Sequence, residues 1–360
     1  MVQELSTADE TLWLGNKKPY YFFGPCSAES REQVMETAKG IAANFDQVIF
    51  RAGIWKPRTR PGTFEGVGVK GLDWLKEVKE TFGFKITTEV ATAKHLEACL
   101  KAEMDVVWIG ARTTVNPFSV QEIADALEGV QIPVFVKNPI YPDLSLWLGA
   151  IERIQKAGIK QVGAIHRGFQ LQDNGPYRNN PFWDLAIRLR SKYPNIPMIC
   201  YISHISGTPD LLEHVAQKAI DLDMDGLMIE THVFPEKALS DSQQQVNPEL
   251  LNQIVAQLTP KNKVSTNAAF KTNLERLREQ IDLVDDELLE KLAVRMQLAK
   301  QIGIDKKQNN VTILQIERWK RTLERSLKNG TSLGLSTKFI EGMLHLIHEE
   351  SIRKQTDSLE

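Results

Sequence analysis

The chain has 360 residues, of which 42% are hydrophobic and 25% charged, and its formal net charge is −2. This composition predicts a soluble globular protein of one large or two ordinary domains and excludes a disordered or fibrous chain. The near-neutral charge and the lack of an apolar run of about 18 residues argue against nucleic-acid and membrane partners. Three cysteines and a start without a signal-peptide pattern predict a reduced, cytoplasmic protein.

Eight short apolar runs alternate with amphipathic stretches through the first two-thirds of the chain. They cover residues 20–24, 47–50, 84–90, 105–110, 133–138, 161–165, 197–203 and 225–230. Most lack a polar face, which is typical of parallel strands that helices cover on both sides. Eight such strands with intervening helices predict an α/β fold, a (β/α)8 barrel over residues 1–258. An open doubly wound sheet is the alternative architecture.

The last hundred residues have a different pattern. Residues 259–271 are polar and read as a linker, and strand signals are absent after them. From residue 272 to 360, apolar residues recur every three or four positions, which predicts an all-α domain of three helices. So small a domain buries a thin core. We therefore expect self-association through it, as a homodimer or a larger assembly.

Chemistry-bearing residues follow the predicted strands, at the end of a barrel where active sites lie. Cys26, His204 and Glu230 follow strands one, seven and eight, and Asp241 lies in the next loop. A thiolate, an imidazole and two carboxylates suit one divalent transition-metal ion per barrel. The oxygen ligands favour Mn²⁺, with Fe²⁺, Co²⁺ and Zn²⁺ as alternatives.

A second group of strand-end residues is basic. Its members are Arg51, Lys56, Arg58, Arg112, Lys137 and Arg167. Cations aimed at one barrel mouth predict an anionic small-molecule substrate that carries phosphate or carboxylate groups. A lysine aldolase that uses Lys56 or Lys137 as a Schiff base is the alternative, although the metal ligands would then have no role.

The motifs GPCSAES, RAGIWKPRTRPG, GARTT, SHISG, IETH and ALSDSQQQ occur in this order between residues 20 and 245. Together they resemble the 3-deoxy-D-arabino-heptulosonate 7-phosphate (DAHP) synthases of type I, beta subgroup. The resemblance implies condensation of phosphoenolpyruvate with erythrose 4-phosphate, the first step of the shikimate pathway of aromatic amino-acid biosynthesis. It implies that Cys26, His204, Glu230 and Asp241 hold the metal, and that Arg51, Lys56, Arg112, Lys137 and Arg167 bind phosphoenolpyruvate.

The same resemblance assigns the aldose phosphate to Pro57, Arg58 and Thr59, and the role of proton donor to Lys56. The sister 3-deoxy-octulosonate 8-phosphate synthases usually have Asn where this chain has Pro57, so Pro57 favours the four-carbon aldose. One departure concerns the residues before Ser203. The family commonly has Asp-Pro there, whereas this chain has Tyr201 and Ile202.

The predicted tail helices also carry a spaced set of polar residues. Arg295 and Lys306 are eleven residues apart, so they share a helix face and lie about 16 Å apart along its axis. Arg278 lies about 25 Å further back and could join them only from an antiparallel partner chain. Ser351 and Gln355 are one turn apart on the last helix and offer neutral hydrogen bonds.

This tail resembles the all-helical chorismate mutases, through LERLREQIDLVDDELLEKLAVRMQLAKQIGIDKK and HLIHEESIRKQ. Those enzymes are intertwined dimers that rearrange chorismate to prephenate. The resemblance implies chorismate contacts from Arg278, Arg295, Lys306, Ser351 and Gln355, with Lys306 and Gln355 as the catalytic donors. Gln315 is the sixth predicted chorismate contact, at a position where this chain departs from the family.

The middle helix departs from that family. Many of its members carry carboxylates where this chain has Gln315 and Trp319, and Glu317 and Glu324 are the nearby acids that could substitute. Two hypotheses follow for the tail. It is an active mutase, or it is only a sensor and dimerisation module through which chorismate or prephenate regulates the synthase.

Overall fold

The computed structural model describes residues 14, 18–56, 62–262 and 264–357. The chain divides into two units, Met1–Lys263 and Val264–Glu360. Among the described helices, none combines the length and the apolar content that a membrane span requires.

The first unit is built around a closed barrel of eight parallel strands. The strands are β1 (Tyr20–Gly24), β2 (Ile49–Arg51), β3 (Lys85–Val90), β4 (Val106–Ile109), β5 (Val134–Lys137), β6 (Val162–His166), β7 (Met198–Tyr201) and β8 (Gly226–Glu230). Each strand pairs with the next along the chain, and β8 closes the barrel on β1, with Gly24 opposite Glu230. The predicted barrel is confirmed, and the open-sheet alternative is wrong.

Helices connect and cover the strands. They are α1 (Arg31–Ala42), α2 (Lys70–Phe82), α3 (Ala93–Lys101), α4 (Ala111–Thr114), α5 (Pro117–Ala126), α6 (Leu144–Lys156), α7 (Trp183–Lys192), α8 (Ile202–Ser206), α9 (Leu212–Asp221) and α10 (Pro248–Gln257). Short 3₁₀ turns span Pro209–Leu211, Pro235–Lys237 and Ser242–Gln244. Several helices begin at side-chain caps that the sequence supplies, such as Ser30 for α1 and Asp143 for α6.

Alternate strand residues pack into two separate cores. Phe22 packs inside the barrel with Trp108, Phe135 and Tyr201, whereas Phe23 packs outward with the helices. Gly163 makes room for the Phe135 ring, because a Cβ atom there would lie 2.1 Å from it. The interior is therefore filled with side chains, and its aromatic members form the floor beneath the strand ends.

The second unit has three helices, α11 (Ala268–Gln308), α12 (Ile316–Ser332) and α13 (Thr337–Asp357). The helix α13 packs on both of the others. The first turn of α11 lies within residues 259–271, the segment that the sequence predicts as linker. Along α11, apolar side chains remain exposed, including Leu277, Ile281, Val284 and Leu288.

Candidate functional site

A cavity of about 460 Å³ lies at the carboxyl ends of the barrel strands. Five of the basic residues predicted from the strand ends line it, namely Arg51, Lys56, Arg112, Lys137 and Arg167. The sixth, Arg58, lies with Pro57 and Thr59 outside the described residues. The barrel therefore gathers five cations from four strand ends into one cavity, which is an environment for a small polyanion.

The predicted metal ligands lie at the edge of this cavity. Ligand atoms of Cys26, Glu230 and Asp241 all lie within 4.8 Å of one another. The Cys26 Sγ is 3.3 Å from Asp241 Oδ2. His204 approaches the group through Glu230, with 3.6 Å between its Nε2 and Glu230 Oε1. Three of the four side chains thus form one cluster, and the fourth adjoins it.

Side chains in the loops after β1 and β8 hold Cys26 and Asp241 close together. Gln245 accepts from the Cys26 N–H at 2.9 Å and donates to the Ser240 carbonyl at 2.8 Å. The Ser27 and Ser240 hydroxyls are hydrogen-bonded to each other. All of these bridging groups are buried. Residues 215 positions apart in the sequence therefore meet through a fixed network.

The chemistry of this donor set fits a divalent transition metal. Burial, Arg167 and Lys137 lower the pKa of His204, so its imidazole is neutral, as a ligand must be. Its buried Nδ1 has no hydrogen-bond partner among the described residues. Burial and Glu230 raise the pKa of the Cys26 thiol to about 12. A bound cation would release that proton, because the thiolate is the ligand form.

Lys56 lies beside this cluster. Its Nζ is 2.9 Å from Cys26 Sγ and 3.2 Å from the Cys26 carbonyl oxygen. The ammonium thus lies between the candidate metal site and the cavity. An ammonium in this position can donate a proton to a molecule bound in the cavity.

Two aromatic rings support the cations of the cavity from below. Arg51 and Lys137 both lie about 5 Å from the ring centroids of Trp108 and Tyr201. Such contacts stabilise buried cations that have lost their hydration shells. Burial nevertheless lowers the pKa of Lys137 to about 8.

Glu89 is a functional candidate that the sequence reasoning missed. Its carboxylate accepts from Lys137 Nζ at 2.7 Å and from Trp108 Nε1 at 2.8 Å. Burial alone would raise its pKa, but Lys137 and these hydrogen bonds lower it to about 2. Gly110 leaves room for it, because a Cβ atom there would lie 2.3 Å from Glu89 Oε1. Its position at the end of β3 was the available signal.

Tyr201 and Arg178 were also given no role from the sequence. The Tyr201 hydroxyl donates to Glu230 Oε1, and its ring stacks on His204 with 3.9 Å between centroids. Burial raises the pKa of Tyr201, so the phenol keeps its proton. Arg178 lines the cavity and pairs with Asp241 at 3.2 Å. Both residues therefore contact predicted metal ligands.

The second unit brings together four of its six predicted residues. Arg295 on α11 donates to the Ser351 hydroxyl on α13. Lys306 donates to Gln355 Oε1 at 3.2 Å and to the Ile313 carbonyl at 2.6 Å. Burial lowers the pKa of both cations. The two helices thus present two cations and two neutral polar groups along one seam.

The other two predicted residues lie apart from this seam. Arg278 and Gln315 are exposed, and no described hydrogen bond joins either to the other four. Trp319 stacks on His348, with 4.1 Å between ring centroids. Burial, together with Arg295, lowers the pKa of His348. The contribution of Arg278 from a partner chain stays a prediction.

The fold is a parallel eight-stranded barrel, and its cation-lined cavity lies beside a cluster of one thiol and two carboxylates. This combination is typical of an enzyme rather than of a binding module. Residues 4–264 match the family model of the DAHP synthetase I family, and residues 277–356 match chorismate mutase type II. The chain therefore belongs to the DAHP synthetase I family. It is a bifunctional enzyme that joins a DAHP synthase barrel to a chorismate mutase domain.

Named relatives and a solved structure agree with the family of the barrel. The phospho-2-dehydro-3-deoxyheptonate aldolase of Thermotoga maritima is 30% identical over 245 residues, which cover 68% of this chain and 70% of that protein. A 2-dehydro-3-deoxyphosphooctonate aldolase of Helicobacter pylori is 27% identical over 266 residues, covering 67% and 94%. The crystal structure of the Thermotoga maritima DAHP synthase superposes with a TM-score of 0.59 at 29% identity, covering 66% of this chain and 67% of that one.

Proposed function

We propose that the barrel condenses phosphoenolpyruvate with erythrose 4-phosphate to give DAHP and inorganic phosphate, with the help of a divalent metal ion. The observation that carries this proposal is the cluster of Cys26, Glu230 and Asp241 at the rim of a cavity lined by five cations. Phosphoenolpyruvate carries a phosphate and a carboxylate, which such a cavity can neutralise together. Both the cluster and the cavity are needed by this reaction.

Each group has a separate task in the reaction. A divalent ion held by Cys26, His204, Glu230 and Asp241 supplies Lewis-acid polarisation of the aldehyde when it is bound, with Mn²⁺ as the proposed ion. Arg51, Arg112, Lys137 and Arg167 hold the carboxylate and phosphate of the enol so that its terminal carbon faces the aldehyde. Lys56 donates a proton to the aldehyde oxygen as the carbon–carbon bond forms. Water then adds at the phosphate-bearing carbon, and phosphate leaves.

A chelator experiment tests the metal-dependent synthase. We expect chelation to abolish DAHP formation and Mn²⁺ to restore it, with Fe²⁺, Co²⁺ and Zn²⁺ as the comparison ions. The variant Cys26→Ser should lose metal-restored activity, whereas Cys99→Ser, at a buried thiol on α3, should keep it. Activity that resists chelation and is trapped by borohydride would instead support a Schiff base on Lys56 or Lys137.

We further propose that the helical unit rearranges chorismate to prephenate. This reaction is unimolecular, so it needs a pocket that holds the reactive shape and donors for the ether oxygen, without a nucleophile or base. In this proposal Arg295 and Ser351, which are hydrogen-bonded to each other, bind a carboxylate of chorismate, and Lys306 and Gln355, which are also hydrogen-bonded to each other, donate to the ether oxygen. Arg278 would complete the site from a second chain, and the exposed apolar residues of α11 support such self-association.

Prephenate formation by the full chain tests the mutase. The variant Lys306→Gln removes the cation while it keeps a hydrogen-bond donor, and we expect a loss of at least about a hundredfold in kcat/KM. The exposed Lys300, on the same helix, gives the matched control Lys300→Gln, which should retain activity. If wild-type protein binds prephenate and changes its synthase rate without turning chorismate over, the tail is the sensor module instead.

A further inference from the structure

Tyr201 contacts two of the predicted metal-ligand side chains from inside the barrel. It ends β7 and is fully buried. Its hydroxyl donates to Glu230 Oε1. Its ring lies parallel to the His204 imidazole, with 3.9 Å between centroids and 10° between planes. The phenol and the ring therefore act on different neighbours.

The contact with His204 acts on the orientation of its ring. A metal-bound histidine usually has its ring orientation fixed by a hydrogen bond from its other nitrogen. Here the buried Nδ1 of His204 has no hydrogen-bond partner among the described residues. The parallel ring of Tyr201 thus restrains the plane of an imidazole that lacks this hydrogen bond.

The contact with Glu230 is one of three hydrogen bonds that described residues donate to its carboxylate. Arg51 donates to the same oxygen at 3.1 Å, and Gln244 donates to the other oxygen. Arg51 is itself anchored on the Pro25 carbonyl at 3.0 Å and will also face the substrate. The Tyr201 hydroxyl is therefore a donor that restrains Glu230 without adding a charge.

We propose that Tyr201 is a positioning residue for the metal centre, which orients Glu230 through its hydroxyl and His204 through its ring. This rests on the proposed metal-dependent synthase. The ring has a further task, because Arg51 and Lys137 lie against it at 5.4 and 4.9 Å. Loss of the hydroxyl alone should therefore affect the metal, and loss of the ring should affect both the metal and the anionic substrate.

Cobalt(II) titration of the metal-free full chain measures this directly, through the thiolate-to-cobalt charge-transfer band. We expect Tyr201→Phe to bind Co²⁺ about tenfold more weakly than wild type, with an unchanged KM for phosphoenolpyruvate at saturating metal. We expect Tyr201→Leu to bind Co²⁺ about a hundredfold more weakly and to raise that KM. Tyr193→Phe is the matched control, since it removes a hydroxyl bonded to Glu152 outside the cavity.

The outcomes separate the two proposals. If the wild-type protein shows no thiolate-to-cobalt band, or shows a band that Cys26→Ser leaves unchanged, the metal centre is refuted. The role of Tyr201 is then refuted with it. If the wild-type band is present and Tyr201→Phe binds Co²⁺ as tightly as wild type, the role of the hydroxyl is refuted. The metal centre itself would then stand. Because phenylalanine fills the same space, near-ultraviolet circular dichroism should show a native Tyr201→Phe even if Tyr201→Leu does not fold. The affinity of Tyr201→Phe therefore decides the role of the hydroxyl on its own, and the affinity of a folded Tyr201→Leu decides the role of the ring.

Discussion

Replacing Glu89 by glutamine should destabilise the barrel in a pH-dependent way. The carboxylate pairs with Lys137 and Trp108 beneath the cavity, and its pKa is about 2 in the folded protein. An unfolded glutamate has a pKa of about 4.3, and each pKa unit of difference is worth about 1.36 kcal/mol. The charge of Glu89 therefore contributes about 3 kcal/mol at neutral pH, which Glu89→Gln should lose.

The pH dependence follows from the lowered pKa. Because the folded value lies below the unfolded one, the contribution is fully present above about pH 5 and is lost as the pH falls towards 2. The difference between wild type and variant should thus shrink to about half by pH 3. Six of the seven tryptophans precede residue 264, so fluorescence in a urea titration of the metal-free chain reports barrel unfolding.

A matched control separates this effect from the general loss of a charge. Glu103 pairs with Lys76 on the surface, and its side chain is 72% exposed. Glu103→Gln should leave the urea midpoint unchanged, since exposed ion pairs contribute little. An unfolding free energy of Glu89→Gln within 1 kcal/mol of wild type at pH 7, or a difference that does not change with pH, would refute the reasoning.

Three further predictions concern other parts of the barrel. The pKa of Lys137 is lowered to about 8, and the negative charge of bound phosphoenolpyruvate should raise it. Calorimetry in two buffers at pH 8.5 should therefore detect proton uptake on binding. The affinity for phosphoenolpyruvate should fall at higher pH. Asp225 accepts hydrogen bonds from two cations and from the backbone, and these contacts lower its pKa. Asp225→Asn should therefore lower the free energy of unfolding by about 2 kcal/mol at pH 7 in urea titrations, and by progressively less below pH 4. Gly163→Ala would press on Phe135 and should cost about 1–3 kcal/mol by the same measurement, whereas Gly149→Ala, in open space on α6, should not destabilise.

The barrel was predictable because its signals are local. Apolar runs mark each strand, and polar residues directly after them mark the end where strands open towards solvent. Parallel closure then brings all such residues to one mouth, so five predicted cations line one cavity. The sequence alone left closure open, because nothing within β1 or β8 indicates that they pair with each other.

Contacts between side chains were predictable only where a single helix fixes them. The spacing of Arg295 and Lys306 fixes their common face on α11, and the spacing of Ser351 and Gln355 does the same on α13. Their pairing across the two helices depends on how the helices pack, which spacing within either helix does not determine. The role of Arg278 depends on a second chain, so it is even harder to predict from the sequence.

Tyr201 shows why a departure from a family pattern is difficult to interpret from sequence. Where the resemblance leads one to expect an aspartate, a tyrosine suggests only that an acid is missing. In the folded barrel, the longer side chain reaches Glu230 and donates a hydrogen bond to it. An aspartate would add a second buried negative charge beside Glu230, whereas the phenol restrains the carboxylate without adding one. The substitution therefore keeps a contact with a predicted metal ligand while it changes the charge around the ion, and the affinity of Tyr201→Phe for cobalt would show how much that contact contributes.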